Sequence, residues 1–178
     1  MKKTILITGA TAGFGEATAR IFADNGWNLV LTGRRKERLD ALKQELQATG
    51  VEITLLHFDV RSEEEVNRAI DSLPQAVKNS LEILVNNAGL AVGRGPIDSG
   101  ETDDWNRMID TNVKGLLYVT RAVAPILKQN GGGHIVNMAS IAGKEVYAGG
   151  NVYCATKHAV DALSRSMRID LVHDHIKV

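Results

Sequence analysis

The chain has 178 residues, enough for one domain with a substantial buried core. Its 21 basic and 21 acidic side chains cancel, so no global field draws it towards nucleic acid or an anionic membrane. A single cysteine, Cys154, excludes an intrachain disulfide framework, and no apolar run approaches the length of a membrane span.

Met1-Lys2-Lys3-Thr4 leads directly into a strand pattern, with no long apolar leader or small-residue cleavage site, so a soluble cytoplasmic protein is the expectation. Thr4 to Thr8 is a short apolar, β-branched run of the kind buried on both faces. It runs into Gly9-Ala10-Thr11-Ala12-Gly13-Phe14-Gly15, then a helical pattern through Ala17, Ile21 and Phe22 that Gly26 closes. Trp27 to Leu31 reads as a second strand. Glu37 to Thr49 reads as a second helix, with Leu39, Leu42 and Leu46 on one stripe and Gly50 behind it. Ile53 to Phe58 is a third strand. Ser62 followed by Glu65 is a capping box opening a third helix, with Val66, Ile70 and Leu73 inward.

Leu81 to Asn86 is a fourth strand, followed by a glycine-rich loop ending near Ser99. A long helix is expected from about Thr102 to Lys128, with Trp105, Met108, Ile109, Asn112, Val113, Leu116 and Val123 at helical spacing. Pro125 is expected to kink it or end it early. Gly131-Gly132-Gly133 is a turn and His134 to Met138 a fifth strand. A helix through Tyr153 runs to about His173, and Ile176-Lys177-Val178 begins a sixth strand. Strict alternation of strand and helix predicts an α/β fold: a single domain with a doubly wound parallel sheet and helices on both faces, three layers in all. Ligands then sit at the carboxyl ends of the strands.

The glycine-rich turn falls where a pyrophosphate would meet the first helix, and glycine lets the backbone approach it closely. The spacing G-x3-G-x-G also suits a plain strand-to-helix turn. An acidic residue ending the second strand would favour NAD; here Thr32-Gly33-Arg34-Arg35 offers two guanidinium forks suited to an extra phosphate, so NADP is the expected cofactor. Asp59, in His57-Phe58-Asp59-Val60, could accept from an adenine amino group or cap the turn into Ser62. Asn86 and Asn87, in Asn86-Asn87-Ala88-Gly89, could satisfy backbone groups or touch the cofactor.

Asn151-Val152-Tyr153-Cys154-Ala155-Thr156-Lys157 places a phenol and an ammonium four residues apart. Ala159, Ala162, Leu163 and Met167 mark the segment as helical, which puts Tyr153 and Lys157 on one face, one turn apart. Bringing a free tyrosine from its pKa of about 10 to neutrality takes about 4 kcal/mol. One cation at about 4 Å, at an effective dielectric near ~20, supplies roughly that much, so the pair could move a proton at working pH. The same spacing equally suits a half-buried ring beside a solvated lysine. Ser140, just after the fifth strand, faces the same crevice. Asn112 interrupts an apolar stripe, so its amide must find partners, a backbone carbonyl or a water beside Lys157.

Thr8-Gly9-x3-Gly13-x-Gly15, Asn86-Asn87-Ala88-Gly89, Asn112, Ser140 and Tyr153-x3-Lys157, in that order, resemble the short-chain dehydrogenase/reductases over Lys3 to Val178. The resemblance implies a Rossmann fold and hydride transfer between a nicotinamide cofactor and a secondary alcohol or carbonyl. It implies Tyr153 as the acid/base, Lys157 lowering its pKa and holding the nicotinamide ribose, and Ser140 positioning the substrate oxygen. Asn112 belongs to a proton relay through water. Within the family the chain is most similar to the NADP-dependent 3-hydroxy acid dehydrogenases. That similarity rests on Gly9 to Gly15 with Phe14, on Arg34-Arg35, and on Tyr147-Ala148-Gly149-Gly150-Asn151-Val152-Tyr153. The expected substrate is a small molecule such as serine or allo-threonine, and the expected assembly a homo-oligomer, dimer or tetramer, built on the long helix and the Tyr153 helix. Family members continue through a substrate-covering segment and a last strand, so the chain is expected to be a fragment or a shortened form.

Two rivals are reduction of a 3-oxoacyl thioester and a non-catalytic nucleotide-binding subunit. His173-Asp174-His175 has metal-like residue types but suits a helix end, and no metal is expected. Cys154 reads as a small packing residue. Arg94 could meet a substrate carboxylate or stay solvated.

Overall fold

The computed structural model describes residues 2–178. Its strands are β1 (Thr4–Ile7), β2 (Asn28–Gly33), β3 (Ile53–His57), β4 (Leu81–Asn86), β5 (Gly133–Asn137) and β6 (Ile176–Lys177). All pair in parallel, in the order β3-β2-β1-β4-β5-β6. This is the doubly wound Rossmann order, and it reverses between β1 and β4, where such sheets open a ligand crevice at their carboxyl ends.

The helices are α1 (Gly13–Asp24), α2 (Lys36–Leu46), α3 (Glu63–Asp71), α4 (Gln75–Ser80), α5 (Thr102–Ile109), α6 (Leu116–Gln129) and α7 (Asn151–Leu171). They divide over the two faces because side chains alternate along a strand. Ile5 and Ile7 of β1, with Leu29 and Leu31 of β2, bury against α1 and α2. Leu6 and Val30 face the other way, onto α3, α6 and α7 through Val66, Ile70, Val119, Val123, Val160 and Met167. One short apolar run thus serves two cores.

The ends of α1 and α3 follow local chemistry. Gly26 takes φ +77 after α1, the left-handed turn that glycine adopts without a Cβ penalty. The Ser62 side chain caps α3 by accepting from the Glu65 backbone N–H at 3.3 Å. The second half of the expected capping box differs: the Glu65 carboxylate accepts from the Asp59 N–H at 3.0 Å, tying α3 to the end of β3.

Two expectations need correction. The helix from Thr102 runs past Pro125 to Gln129. Proline removes only the hydrogen bond to the Arg121 carbonyl, and Arg121 lies on the exposed side where water can serve it. The same long helix is not regular, because Asp110–Gly115 forms a π-helical segment between α5 and α6. Helix α4 escaped the sequence pattern; six residues are too few to display a 3.6-residue period.

Candidate active site

The loop from β1 to α1 turns through Gly9 (φ +64) and Gly13 (φ +57) and presents the start of α1. Ala12, the residue before that helix, offers no side-chain cap, so the first amide protons of α1 keep no side-chain acceptor. A helix N-terminus in this state favours an anion. The loop is stapled to β4. Asn87 Nδ2 donates to the carbonyls of Thr8 (2.8 Å) and Gly9 (3.1 Å), while the Thr8 hydroxyl accepts from the backbone N–H groups of Asn87 (3.0 Å) and Ala88 (2.9 Å). Asn87 therefore does the backbone work that was one of its two expected roles. Gly15 is required by packing, since a Cβ there would lie 2.6 Å from the Gly9 carbonyl oxygen.

Beside this turn a cleft of about 460 Å³ opens along the carboxyl ends of β1, β2, β3 and β4. It gathers Gly9, Thr11, Ala12, Phe14, Arg34, Arg35, Asp59, Val60 and Asn87, so every residue expected to hold the outer part of the cofactor, Gly13 apart, lines one cavity. Arg35 folds onto the loop and donates to the Thr11 hydroxyl. Arg34 is more exposed and lies 3.7 Å from the Asp59 carboxylate. Arg61, which went unremarked in the sequence, grips Asp59 with Nε at 2.9 Å and Nη2 at 2.6 Å. Partial burial pushes the Asp59 carboxyl up, but the hydrogen bonds and charge of Arg61, with the charge of Arg34, hold it below its ordinary value.

The second part of the site lies on α7 and the end of β5. Lys157 is 7% exposed, and its ammonium donates to the Met138 carbonyl at 2.7 Å. It stands 5.9 Å from the centre of the Tyr153 ring. Burial lowers the pKa of this lysine. Asn112 sits in the π segment and pairs with Leu90 as a strand would: Oδ1 accepts from the Leu90 N–H at 2.8 Å, and Nδ2 donates to the Leu90 carbonyl at 2.9 Å. Nδ2 also donates to the Thr156 hydroxyl at 3.1 Å. A Cβ on Gly89 would come within 3.3 Å of Asn112 Oδ1 and 3.7 Å of Lys157 Nζ, so Asn112 and Lys157 face each other across that glycine. Ser140 caps the short turn Ile141–Gly143, its Oγ accepting from the Ala142 N–H at 3.2 Å, which leaves its own proton free to donate.

This arrangement suits a dinucleotide phosphate on three counts: the uncapped N-terminus of α1, a cleft along the sheet's switch point, and two guanidinium groups at its β2 wall. The sequence matches the short chain dehydrogenase family over residues 3–178. The chain belongs to that family. It is 48% identical over 174 residues to the NADP-dependent 3-hydroxy acid dehydrogenase YdfG of Salmonella typhi, covering 98% of this chain and 68% of that protein. It is equally 48% identical over 179 residues to sulfoacetaldehyde reductase 2 of Chromohalobacter salexigens, covering 100% of this chain and 70% of the relative. Among solved structures, serine dehydrogenase from Escherichia coli superposes with a TM-score of 0.89 at 48% identity, over 94% of this chain and 76% of that one. The closed form of serine dehydrogenase complexed with NADP+ gives the same score, over 66% of its chain.

Several residues of this short-chain dehydrogenase site carried no signal in the sequence. Thr32, Phe58, Ala88, Leu90 and Thr111 line the cleft, yet each reads as an ordinary strand, loop or helix residue. Among the described residues no three His, Cys, Asp or Glu side chains gather as a metal would require. Asp174 pairs instead with Lys128 at 2.7 Å. Cys154 is buried and free.

Proposed function

We propose that the protein is an NADP-dependent oxidoreductase that moves hydride between NADP(H) and a secondary alcohol or carbonyl, its substrate a small 3-hydroxy acid of the serine or allo-threonine kind. The observation that carries this reading is the convergence, at the carboxyl ends of one sheet, of an arginine-lined cleft and a buried lysine beside a tyrosine ring. When bound, the nicotinamide supplies or takes the hydride. The chain's own part is binding, orientation and the proton.

In this reading Gly9, Thr11, Ala12, Gly13 and Phe14 receive the pyrophosphate, and Arg34 and Arg35 the additional phosphate. Asp59, Val60 and Asn87 flank the adenosine. The Tyr153 hydroxyl gives or takes the proton of the substrate oxygen. Lys157 supplies the neighbouring charge that favours the phenolate and also holds the nicotinamide ribose. Ser140 donates its free proton to the substrate oxygen, and Asn112 holds the Leu90 backbone while ordering a water beside Lys157. Two relatives at 48% identity, one named for 3-hydroxy acids and one for sulfoacetaldehyde, support a small anionic substrate.

We further read the protein as a cytoplasmic homo-oligomer, a dimer or tetramer. Among the described residues no helix is long and apolar enough to cross a membrane. Ile109 and Leu117 on the long helix and Ile169 on α7 stay exposed, which supports a subunit contact there. Residues 1–178 form the cofactor-binding domain in this reading. A substrate-covering segment lies beyond it, supported by the greater length of the relatives and by the incomplete burial of Ile83, Val136 and Met138. The test is turnover of the full-length protein with NADP and a panel of 3-hydroxy acids, neutral secondary alcohols and acyl thioesters. Oxidation of serine or a close analogue is expected; turnover of acyl thioesters alone would overturn the substrate assignment.

A further inference from the structure

The buried polar groups beneath the site form a connected path that none of the roles above uses. Asn86 and Asn137 stand side by side at the ends of β4 and β5. Asn86 Nδ2 donates to Thr120 Oγ1 on α6 and to Asn137 Oδ1, each at 2.9 Å. Asn137 Nδ2 donates onward to Ser164 Oγ on α7 at 2.9 Å, and the Ser164 hydroxyl donates to the Val160 carbonyl at 2.7 Å. Four elements are thus joined through side chains in an otherwise apolar layer.

Where the path runs gives it a use. Ser164 lies seven residues after Lys157, two helical turns along the same stripe of α7. Asn137 immediately precedes Met138, whose carbonyl accepts from the Lys157 ammonium. The Met138 N–H in turn donates to the Asn86 carbonyl at 3.0 Å. The strand end and the helix that meet in the Lys157–Met138 bond are therefore fastened a second time by Asn137 and Ser164. Apolar contacts along α7 would allow the helix to slide or roll slightly on the sheet; hydrogen bonds of fixed length and direction do not.

We propose that Asn137 and Ser164 are positioning residues: they fix the spacing of α7 from β5 and so set where the Lys157 ammonium stands relative to Tyr153. The inference rests on the functional reading above. Tyr153 is the titrating group beside the ammonium, on its own helix. From neighbouring elements the ammonium meets the Met138 carbonyl and, across Gly89, the Asn112 amide, neither of which titrates.

The experiment is the pH dependence of kcat for oxidation by the full-length protein, in Ser164→Ala, Ser164→Thr and Asn137→Leu. Ser164→Ala keeps a good helix former, so it is expected to fold even if Asn137→Leu does not. A displaced lysine favours the phenolate less, so the pH of half-maximal kcat in Ser164→Ala should rise by about half a unit to one unit. Ser164→Thr retains the hydroxyl and should return it to the wild-type position. A Ser164→Ala profile that superimposes on wild type, with only the melting temperature lowered, would make the path purely structural and overturn the proposal. A wild type that turns over no alcohol at all would instead overturn the functional reading itself.

Discussion

The Arg35 guanidinium rests on the Thr11 hydroxyl, with Nε at 3.2 Å and Nη2 at 2.7 Å, so the end of β2 and the glycine turn are joined by the residue best suited to a phosphate. Arg34 stands outside this contact with 59% of its side chain exposed. One arginine is thus held in place and the other is free to close on a ligand. Replacing both, Arg34→Ala with Arg35→Ala, should weaken NADP binding about 10- to 100-fold, the loss of one charge-assisted contact of about 1.5–3 kcal/mol. NAD affinity should change little. Equal titration curves for the two cofactors in the wild type would remove the basis of the assignment.

Tyr153→Phe deletes the hydroxyl while keeping the ring beside Lys157. Turnover should fall by about 100-fold or more, the usual scale of general acid–base catalysis, with NADP affinity nearly intact. Lys157→Met should damage both, because the ammonium is assigned to proton transfer and to ribose binding. Single-turnover assays beside cofactor titrations separate the two outcomes, and a Phe variant that still turns over would place the acid elsewhere.

Burial also gives Lys157 a signature in stability. Its pKa is lowered from 10.5 in the folded chain, so the unfolded chain binds more protons between that lowered value and 10.5. Stability contributed at this position therefore rises with pH through that window. Compared with Lys157→Met, the wild type should gain in melting temperature as the pH is raised from neutrality towards 10.5. A difference that stays constant would mean the ammonium is not the buried charge it is taken to be.

Two glycines of the first turn should respond differently to alanine. At Gly15 an added Cβ meets the Gly9 carbonyl oxygen at 2.6 Å, backbone against backbone, and neither can yield without opening the turn. The cost should be about 1–3 kcal/mol, with NADP affinity lost as well. At Gly13 no heavy atom lies within 4 Å of the added Cβ, so only the backbone strain of φ +57 remains, about 1–2 kcal/mol. Thermal melts of Gly15→Ala and Gly13→Ala should therefore rank Gly15→Ala as the worse; the reverse order would contradict the packing described.

Much of this architecture is local chemistry, and the sequence alone is sufficient for it. A β-branched run followed by glycines and then an amphipathic stripe specifies strand, turn and helix wherever it occurs, so the element order and the parallel sheet follow directly. The span Leu81–Asn86 agrees with the expected strand to the residue. Tyr153 and Lys157 share a face because helical geometry makes them do so. The π segment at Asp110–Gly115 was not legible, since residues at helical spacing give no sign of one wider turn, and short α4 shows no period at all.

What needed the tertiary structure is everything that depends on two distant segments meeting. The sequence shows that Asn112 interrupts an apolar stripe and must be satisfied; only the fold brings it to both backbone groups of Leu90. It shows an arginine pair after β2; only the fold sets Arg35 on Thr11 and Arg61 on Asp59. It shows a lysine one turn from a tyrosine; only the packing of α7 on β5 decides that the ammonium is buried, bound to Met138 and 5.9 Å from the ring centre. The physical reason is one of range. Propensity, capping and periodicity act over a few residues and are written in the local sequence. The partners of a buried polar group are set by which strands and helices come together, and no local pattern encodes that meeting.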